Sequence, residues 1–343
     1  MRPSFHPRLI NGPFDDPGLY IPFLFENRAV LFDLGDIHAL SPRNILKLSH
    51  VFVTHTHMDH FVGFDSLLRL LLGRDKSLHM FGPRGFLKNV EGKLAGYSWN
   101  LVKHYTNRFV LNVTEVRSDR LVSKQFACQD GFKATRPAEK SPFNGTLLSE
   151  PTLTVRAVIL DHGLPCLGFS IKEHFHVNII KDRLLALGLE IGPWLKLFKA
   201  SLFNQADPES EFLVTTGKKK EIRKKFNLGE LTAKIATITP GQKIAYIADA
   251  GMSSANEKKM VDLAGGADHL FIEAAFLEKH REIARGKYHL TARQAGTIAA
   301  RAGVKEFTIF HFSPRYTAGE HLLRQEAREA FSRHCCLVKI ENP

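Results

Sequence analysis

The most constraining stretch of this 343-residue chain is Thr54-His-Thr-His-Met-Asp-His60, which follows the apolar segment Val51–Val53. His55, His57, Asp59 and His60 place three imidazoles and a carboxylate within six residues. An imidazole nitrogen or a carboxylate oxygen binds a divalent cation such as Zn²⁺ at about 2.0–2.2 Å. In a tight turn, His55 and His57 can point one way while Asp59 and His60 point another. That arrangement would serve two cations a few ångströms apart. It requires a fold in which a buried strand ends in an ordered polar turn. Two cations need further ligands, and the candidates stand at other strand ends. His162 follows LTVRAVIL, Asp249 follows KIAYIA, and His311 follows FTIF. One histidine or aspartate at a strand end is more often a turn residue than a ligand. The repeated placement is what singles out the set.

The rest of the chain supplies such strands. Residues 20–34 read as two strands joined at Glu26-Asn27, because they are rich in aromatic and β-branched residues. Ile45–Leu48 reads as a helical end, and Val51–Val53 as a short buried strand. Phe64–Leu72 reads as a helix, Leu78–Phe81 as a strand stopped by Gly82-Pro83, and residues 86–106 as helical. Short strands and turns are expected from Arg108 to Ile171, and strands at Ile244–Ala248, Leu270–Glu273 and Phe307–Phe310. Thr291 and Gln294 have capping-box spacing, and Ala295, Ile298, Ala299 and Ala302 follow at helical spacing until Gly303. Strands alternating with helices, with polar residues at the strand ends, indicate a layered α/β architecture.

Hydrophobic residues make up 44% of the chain and charged residues 24%, which excludes a disordered chain. No apolar run reaches the roughly 18 residues that span a bilayer. The opening MRPSFHPRLINGP lacks the apolar core of a signal peptide. Cys128, Cys166, Cys335 and Cys336 show no CxxC spacing, so neither a disulfide scaffold nor a thiolate zinc site is expected, and a reducing cytoplasm suits them. The adjacent pair Cys335 and Cys336 receives no role. The net charge of +12 fits a polyanionic partner or an acidic membrane face, and equally plain solubility.

The segment THTHMDH resembles the metal motif of the metallo-β-lactamase superfamily, and LFDLGD resembles its first motif, with Asp33 as a buried carboxylate supporting the metal loop. FVGFDSLLRLL, HMFGPRGF, LDHGLPCLGFSI, and HLTARQAGTIAARAGV followed by HFSPRY resemble, within that superfamily, ribonuclease Z, the endonuclease that processes tRNA 3′ ends. The resemblance runs with gaps from about residue 28 to 320. It implies an α/β fold, an αββα sandwich, spanning residues 1–343 as one domain with an irregular insertion at about 172–240. It implies two Zn²⁺ ions, with Mn²⁺ or Fe as alternatives. His55, His57 and His162 would hold the first, Asp59, His60 and His311 the second, and Asp249 would bridge them. The nucleophile would be a hydroxide held between the metals. His289 in HLTA would protonate the leaving oxygen and Glu273 would orient it. For His289, a plain position ahead of a capped helix stays open, and for Glu273 a purely structural carboxylate does.

The expected function is removal of 3′ trailers from precursor tRNA in the cytoplasm, with RNA as partner, no membrane association and a homodimer as the family's common state. The chain departs from the family pattern. It lacks the Gly-Thr-Gly turn near its N-terminus and a Pro-x-Lys-x-Arg-Asn loop. The His-Glu-Ala-Thr element reads Ile272-Glu-Ala-Ala275, and Gly-Asp-Thr reads Ala248-Asp-Ala250. These changes leave open a dinuclear hydrolase of small phosphodiesters, and a metal-binding RNA-interaction protein with little turnover. The family's RNA-gripping arm corresponds to residues 187–196, with the cluster Lys218, Lys219, Lys220, Arg223, Lys224 and Lys225 behind it. Such a cluster is most often a solvated helix face. Trp194 would stack on a base or sit in the core. His79, His174 and His176 belong to no motif.

Overall fold

A computed structural model describes residues 4–24, 26–216 and 222–340, with side chains omitted at Ile222 and from His334 onward. The candidate cations Lys218, Lys219 and Lys220 therefore lie outside the described residues, as do the side chains of Cys335 and Cys336. The described residues fall into two compact units. The larger comprises Phe5–Leu148, Val155–Ile171 and the chain from Lys243 onward. The smaller comprises Ser4, Ser149–Thr154 and Lys172–Gln242.

Two sheets of eight and six strands form the larger unit's framework. In the first, Ala29–Phe32, Leu48–Phe52, Lys76–Pro83 and Phe109–Val116 run parallel. Antiparallel strands flank them, Leu19–Pro22 on one side and Arg120–Ala127 on the other. In the second, Lys243–Ile247, His269–Glu273 and Glu306–Phe310 run parallel. Pro165–Glu173 and Leu153–Asp161 continue that sheet. Parallel strands need crossovers, and helices supply them. Phe64–Leu71 and Phe86–Ala95 bury their apolar faces in one cluster with Leu31, Val51, Met80 and Leu111. Ser254–Ala264 and Ala292–Arg301 do the same with Ala245, Leu270 and Ile309.

The facing sides of the two sheets meet through aromatic rings. Phe32 lies 5.3 Å from Phe169 and 5.8 Å from Tyr246, and Tyr246 stacks on Phe310 at 5.2 Å. Strand alternation explains the division. In Ala29–Phe32, Leu31 faces the helices while Phe32 faces the other sheet. Each fully buried ring of this seam contributes roughly 1.5–3 kcal/mol. Two sheets packed face to face with helices outside give the expected αββα sandwich.

Several local expectations need correction. The helix from Phe86 stops at Ala95, because Gly96 follows, and only a short 3₁₀ turn at Val102–His104 comes later. Leu48 opens a strand rather than closing a helix, which runs Pro42–Leu46. Residues 172–240 are more regular than expected. The smaller unit has helices Lys181–Ala186, Trp194–Phe203 and Leu228–Ile235, a strand pair Phe175–Ile179 with Ala236–Pro240, and a hairpin of Glu211–Thr216 with Ile222–Asn227. Its own core gathers Leu184, Leu189, Trp194, Phe198, Val214 and Leu231. Arg223, Lys224 and Lys225 thus belong to a strand, not a helix face. Lys225 pairs with Glu211 at 3.0 Å across the hairpin, and Lys224 donates to the Leu187 carbonyl. Trp194 is 3% exposed and its indole N–H donates to the Glu190 carbonyl, so it is a core residue and offers no face to a base.

Candidate metal centre

Except for His289, which lies between the helices Arg281–Gly286 and Ala292–Arg301, the site residues stand at or just beyond strand ends of the larger unit. Leu48–Phe52 leads to His55, and the turn that follows closes into the single helical turn Met58–Phe61, which carries Asp59 and His60. Leu153–Asp161 delivers His162, Lys243–Ile247 delivers Asp249, His269–Glu273 ends on Glu273, and Glu306–Phe310 delivers His311. Four of the six non-glycine residues with positive φ among the described residues are here: Asp33 (60°), Asp249 (48°), Tyr288 (57°) and His311 (60°). That region costs a side chain of order 1–3 kcal/mol, so the surrounding structure holds these residues against local preference.

The predicted residues converge. His55 Nε2 and His57 Nδ1 lie 2.8 Å apart, and Asp249 Oδ2 is 3.6 Å from His55 and 3.5 Å from His162. On the other side, His311 Nε2 is 3.2 Å from Asp59 Oδ2, and His60 Nε2 is 3.5 Å from the same oxygen. Asp249 reaches this group too, 3.4 Å from His60 and 2.9 Å from His311. Two sets could hold a cation, His55, His57, His162 and Asp249, and Asp59, His60 and His311. A third grouping joins Asp249, Glu273, His289 and His311. Both Glu273 oxygens are already engaged there, one by the Ala250 N–H at 2.7 Å and one by His289 Nδ1 at 2.9 Å.

The donor set fits metal ions on a specific observation. His60 Nε2, Asp249 Oδ1 and His311 Nδ1 are buried and have no hydrogen-bond partner among the described residues. His311 Nδ1 and Asp249 Oδ1 approach to 2.9 Å, yet without hydrogen-bond alignment. Orphaned buried polar atoms are rare and costly, and here all three belong to residues of the candidate cation sets.

A layer of partners fixes the rings. Asp33, fully buried, accepts from the Thr54 N–H at 2.7 Å and the Thr54 hydroxyl at 2.8 Å, and receives the Tyr246 hydroxyl at 3.0 Å. Its second oxygen is 2.9 Å from His60 Nδ1, which turns Nε2 toward Asp249. His162 Nδ1 donates to the Tyr288 carbonyl at 2.8 Å, leaving Nε2 for the centre. Such partners set ring orientation at metal sites. Burial and the neighbouring His60 push His55 down to about 2. Burial opposes the charged form of His60, but Asp33 and Asp249 outweigh it and raise that ring to about 10. Burial likewise opposes a charged His289, and Glu273 overcomes it. Burial would raise Asp59, but the hydrogen bond from His311 holds it down at about 2.

Tyr246 and Tyr288 escaped the sequence reading. Tyr246 has the strand alternation of its neighbours as its sole signal, and Tyr288 acts through a backbone oxygen that no side chain advertises. The Ala250 N–H holds one oxygen of Glu273. The backbone N–H groups of Ala274 and Ser313 pair with Phe310 and Ala275, so the Ala-Ala element is secured by its main chain.

Known proteins share this framework. The metallo-β-lactamase fold protein YhfI of Bacillus subtilis matches with a TM-score of 0.53 at 16% identity, covering 95% of this chain and 94% of that one. The chain has the metallo-β-lactamase fold. Human tRNase Z, short form, superposes on this metallo-β-lactamase sandwich with a TM-score of 0.50 at 17% identity, covering 90% of this chain and 93% of that one. By sequence the chain is ribonuclease Z-like. The ribonuclease Z of Deinococcus radiodurans is 29% identical over 290 residues, 84% of this chain and 83% of that protein. That of Enterococcus faecalis is 28% identical over 326 residues, 92% and 87%. No protein-family model matches the chain.

Proposed function

We propose that this chain is a metal-dependent endoribonuclease of the ribonuclease Z kind, which removes 3′ trailers from precursor tRNA. The convergence of His55, His57, Asp59, His60, His162, Asp249 and His311 around orphaned buried donor atoms carries this reading. The likeness to curated ribonuclease Z proteins supports RNA as the substrate. His55, His57 and His162 would hold one zinc, Asp59, His60 and His311 the other, and Asp249 would bridge them. Two such cations supply an activated water and neutralise charge on the phosphoryl oxygens.

The chain's own groups do the rest. Asp33 and the Tyr288 carbonyl keep His60 and His162 in the tautomers that direct Nε2 inward. His289 donates its Nδ1–H to Glu273 and lies 3.8 Å from Asp249 Oδ1, and in the charged ring a second proton on Nε2 would pass to the leaving 3′ oxygen. Glu273 is a positioning residue in this scheme. Cleavage would leave a 3′-hydroxyl on the tRNA body and a 5′-phosphate on the trailer, without using the 2′-hydroxyl. A homodimer in the cytoplasm belongs to the same reading, as does an RNA-gripping role for residues 172–240. No helix of the described residues is long and apolar enough to cross a membrane.

The test is cleavage of a precursor tRNA bearing a 3′ trailer, with end-group analysis of both products. A cut near the discriminator base with those ends supports the proposal. Hydrolysis of bis-p-nitrophenyl phosphate without binding or cutting of precursor tRNA would favour a small-phosphodiester hydrolase instead. The missing Pro-x-Lys-x-Arg-Asn loop is the observation on that side.

A further inference from the structure

His289 forms part of the wall of two cavities. One, of about 260 Å³, is lined by Asp15, Asp16, Asp59, Lys287, His289 and His311 and so belongs to the candidate metal centre already described. The other, of about 540 Å³, is lined by Asp161, Arg281, Glu282, Arg285, Tyr288 and His289 among others. Tyr288 governs the second. It sits at φ 57°, and its carbonyl holds His162. Its ring is pressed against glycines: a Cβ on Gly163 would come within 3.1 Å of it and one on Gly251 within 3.4 Å. Backed by two residues without side chains, the residue stays 45% exposed. An exposed aromatic ring held in place by backbone packing has the properties of a stacking platform.

The charges around the ring are few and balanced. Arg281 pairs with Glu278 at 3.5 Å, and Asp161 accepts from the Gly163 N–H at 2.9 Å. Arg285 has no ion pair among the described residues. One uncommitted guanidinium suits a single phosphate, and the carboxylates of Asp161 and Glu282 oppose a polyphosphate.

Resting on the function proposed above, we propose that the cavity beside Tyr288 is a mononucleotide subsite, with a base stacked on the Tyr288 ring and its phosphate held by Arg285. It would seat one nucleotide flanking the bond to be cleaved, on the side of His289 away from Asp15 and Asp16.

Calorimetric titration of adenosine 5′-monophosphate, adenosine and inorganic phosphate into the protein, with and without zinc, tests it without turnover. The monophosphate binds tighter than either fragment in both states. Tyr288→Leu, which keeps bulk and loses the π face, weakens the monophosphate roughly tenfold and leaves phosphate unchanged. Arg285→Gln weakens the monophosphate by roughly tenfold and leaves adenosine unchanged. Circular dichroism and zinc content at wild-type values show that each variant is folded. Monophosphate binding no tighter than phosphate, or folded variants that bind like wild type, would overturn the subsite. Precursor-tRNA cleavage by the wild type is scored separately. If it fails while the binding pattern holds, the ribonuclease reading falls and the nucleotide subsite stands. If it succeeds while the pattern fails, the subsite alone falls.

Discussion

At the scale of single residues, the centre depends on groups with no slack. Asp59 Oδ2 lies against both His60 and His311, so Asp59→Ala would remove the carboxylate proposed to share a cation with those two rings. Phosphodiester hydrolysis is expected to fall by more than about 100-fold, with zinc content dropping toward one per chain. Two retained zinc ions would show that Asp59 is not a ligand. Glu273→Gln should keep the 2.7 Å contact with the Ala250 N–H but loosen its hold on a charged His289, so kcat should fall while KM for precursor tRNA changes little. A KM effect alone would make Glu273 a structural residue. Away from the site, His50 is buried between Phe52 and His79 with the Arg28 guanidinium 3.4 Å away. Burial, then Arg28 and His79, push it down to about 3. An unfolded histidine titrates near 6.5, so the unfolded chain takes up a proton first as pH falls. His50 therefore costs no stability above that value, and stability is lost between it and about pH 3, by up to about 1.4 kcal/mol per pH unit. Urea midpoints between pH 6 and 4 should fall less steeply for His50→Gln than for the wild type, and parallel slopes would remove His50 from the account.

At the scale of elements, the helix Ala292–Arg301 links local sequence to the site. The Thr291 side chain accepts from the Gln294 N–H and the Gln294 side chain accepts from the Thr291 N–H, while the Thr291 hydroxyl also donates to Glu278 at 2.6 Å. Thr291→Ala should cost about 1–2 kcal/mol in chemical denaturation. It should also lower activity, since His289 is two residues upstream. A change under about 0.5 kcal/mol would mean that solvent replaces the cap. This element was legible because a capping box and its apolar repeat are local in sequence. The strand ends were legible for the same reason: an apolar run followed by His or Asp announces itself. The Tyr246–Asp33 bond was not: Asp33 stands in a motif, but its partner is 213 residues away and Tyr246 belongs to none. Residues 172–240 were misread for a different reason. Their strands are short and pair with distant partners, Phe175–Ile179 with Ala236–Pro240, so no single window shows the pattern. The basic run then looked like a helix face when half of it lies in a hairpin.

At the scale of the whole molecule, the six-residue motif at His55–His60 joins the two sheets. It hangs from the end of Leu48–Phe52 in the first sheet, while its counterparts His162, Asp249 and His311 stand at strand ends of the second. Cations bound there would tie the sheets together at that edge, in addition to the aromatic seam of Phe32, Phe169 and Tyr246. Without cations, the same place holds orphaned donors and closely packed rings with charges of both signs, an arrangement with little to offset its desolvation. Metal binding should then appear as folding stability. A ligand that binds only the native state adds about 4 kcal/mol when its free concentration is a thousand times Kd. Chelation should therefore lower the thermal midpoint by several degrees, and zinc should restore it in proportion to the logarithm of its concentration. The effect should be lost in a double variant, His55→Ala with His311→Ala, that removes a ligand from each set. A midpoint indifferent to chelation, in protein shown by elemental analysis to have lost its metal, would mean that the sheets are held by the aromatic seam alone. The ligands would then serve chemistry without serving the fold.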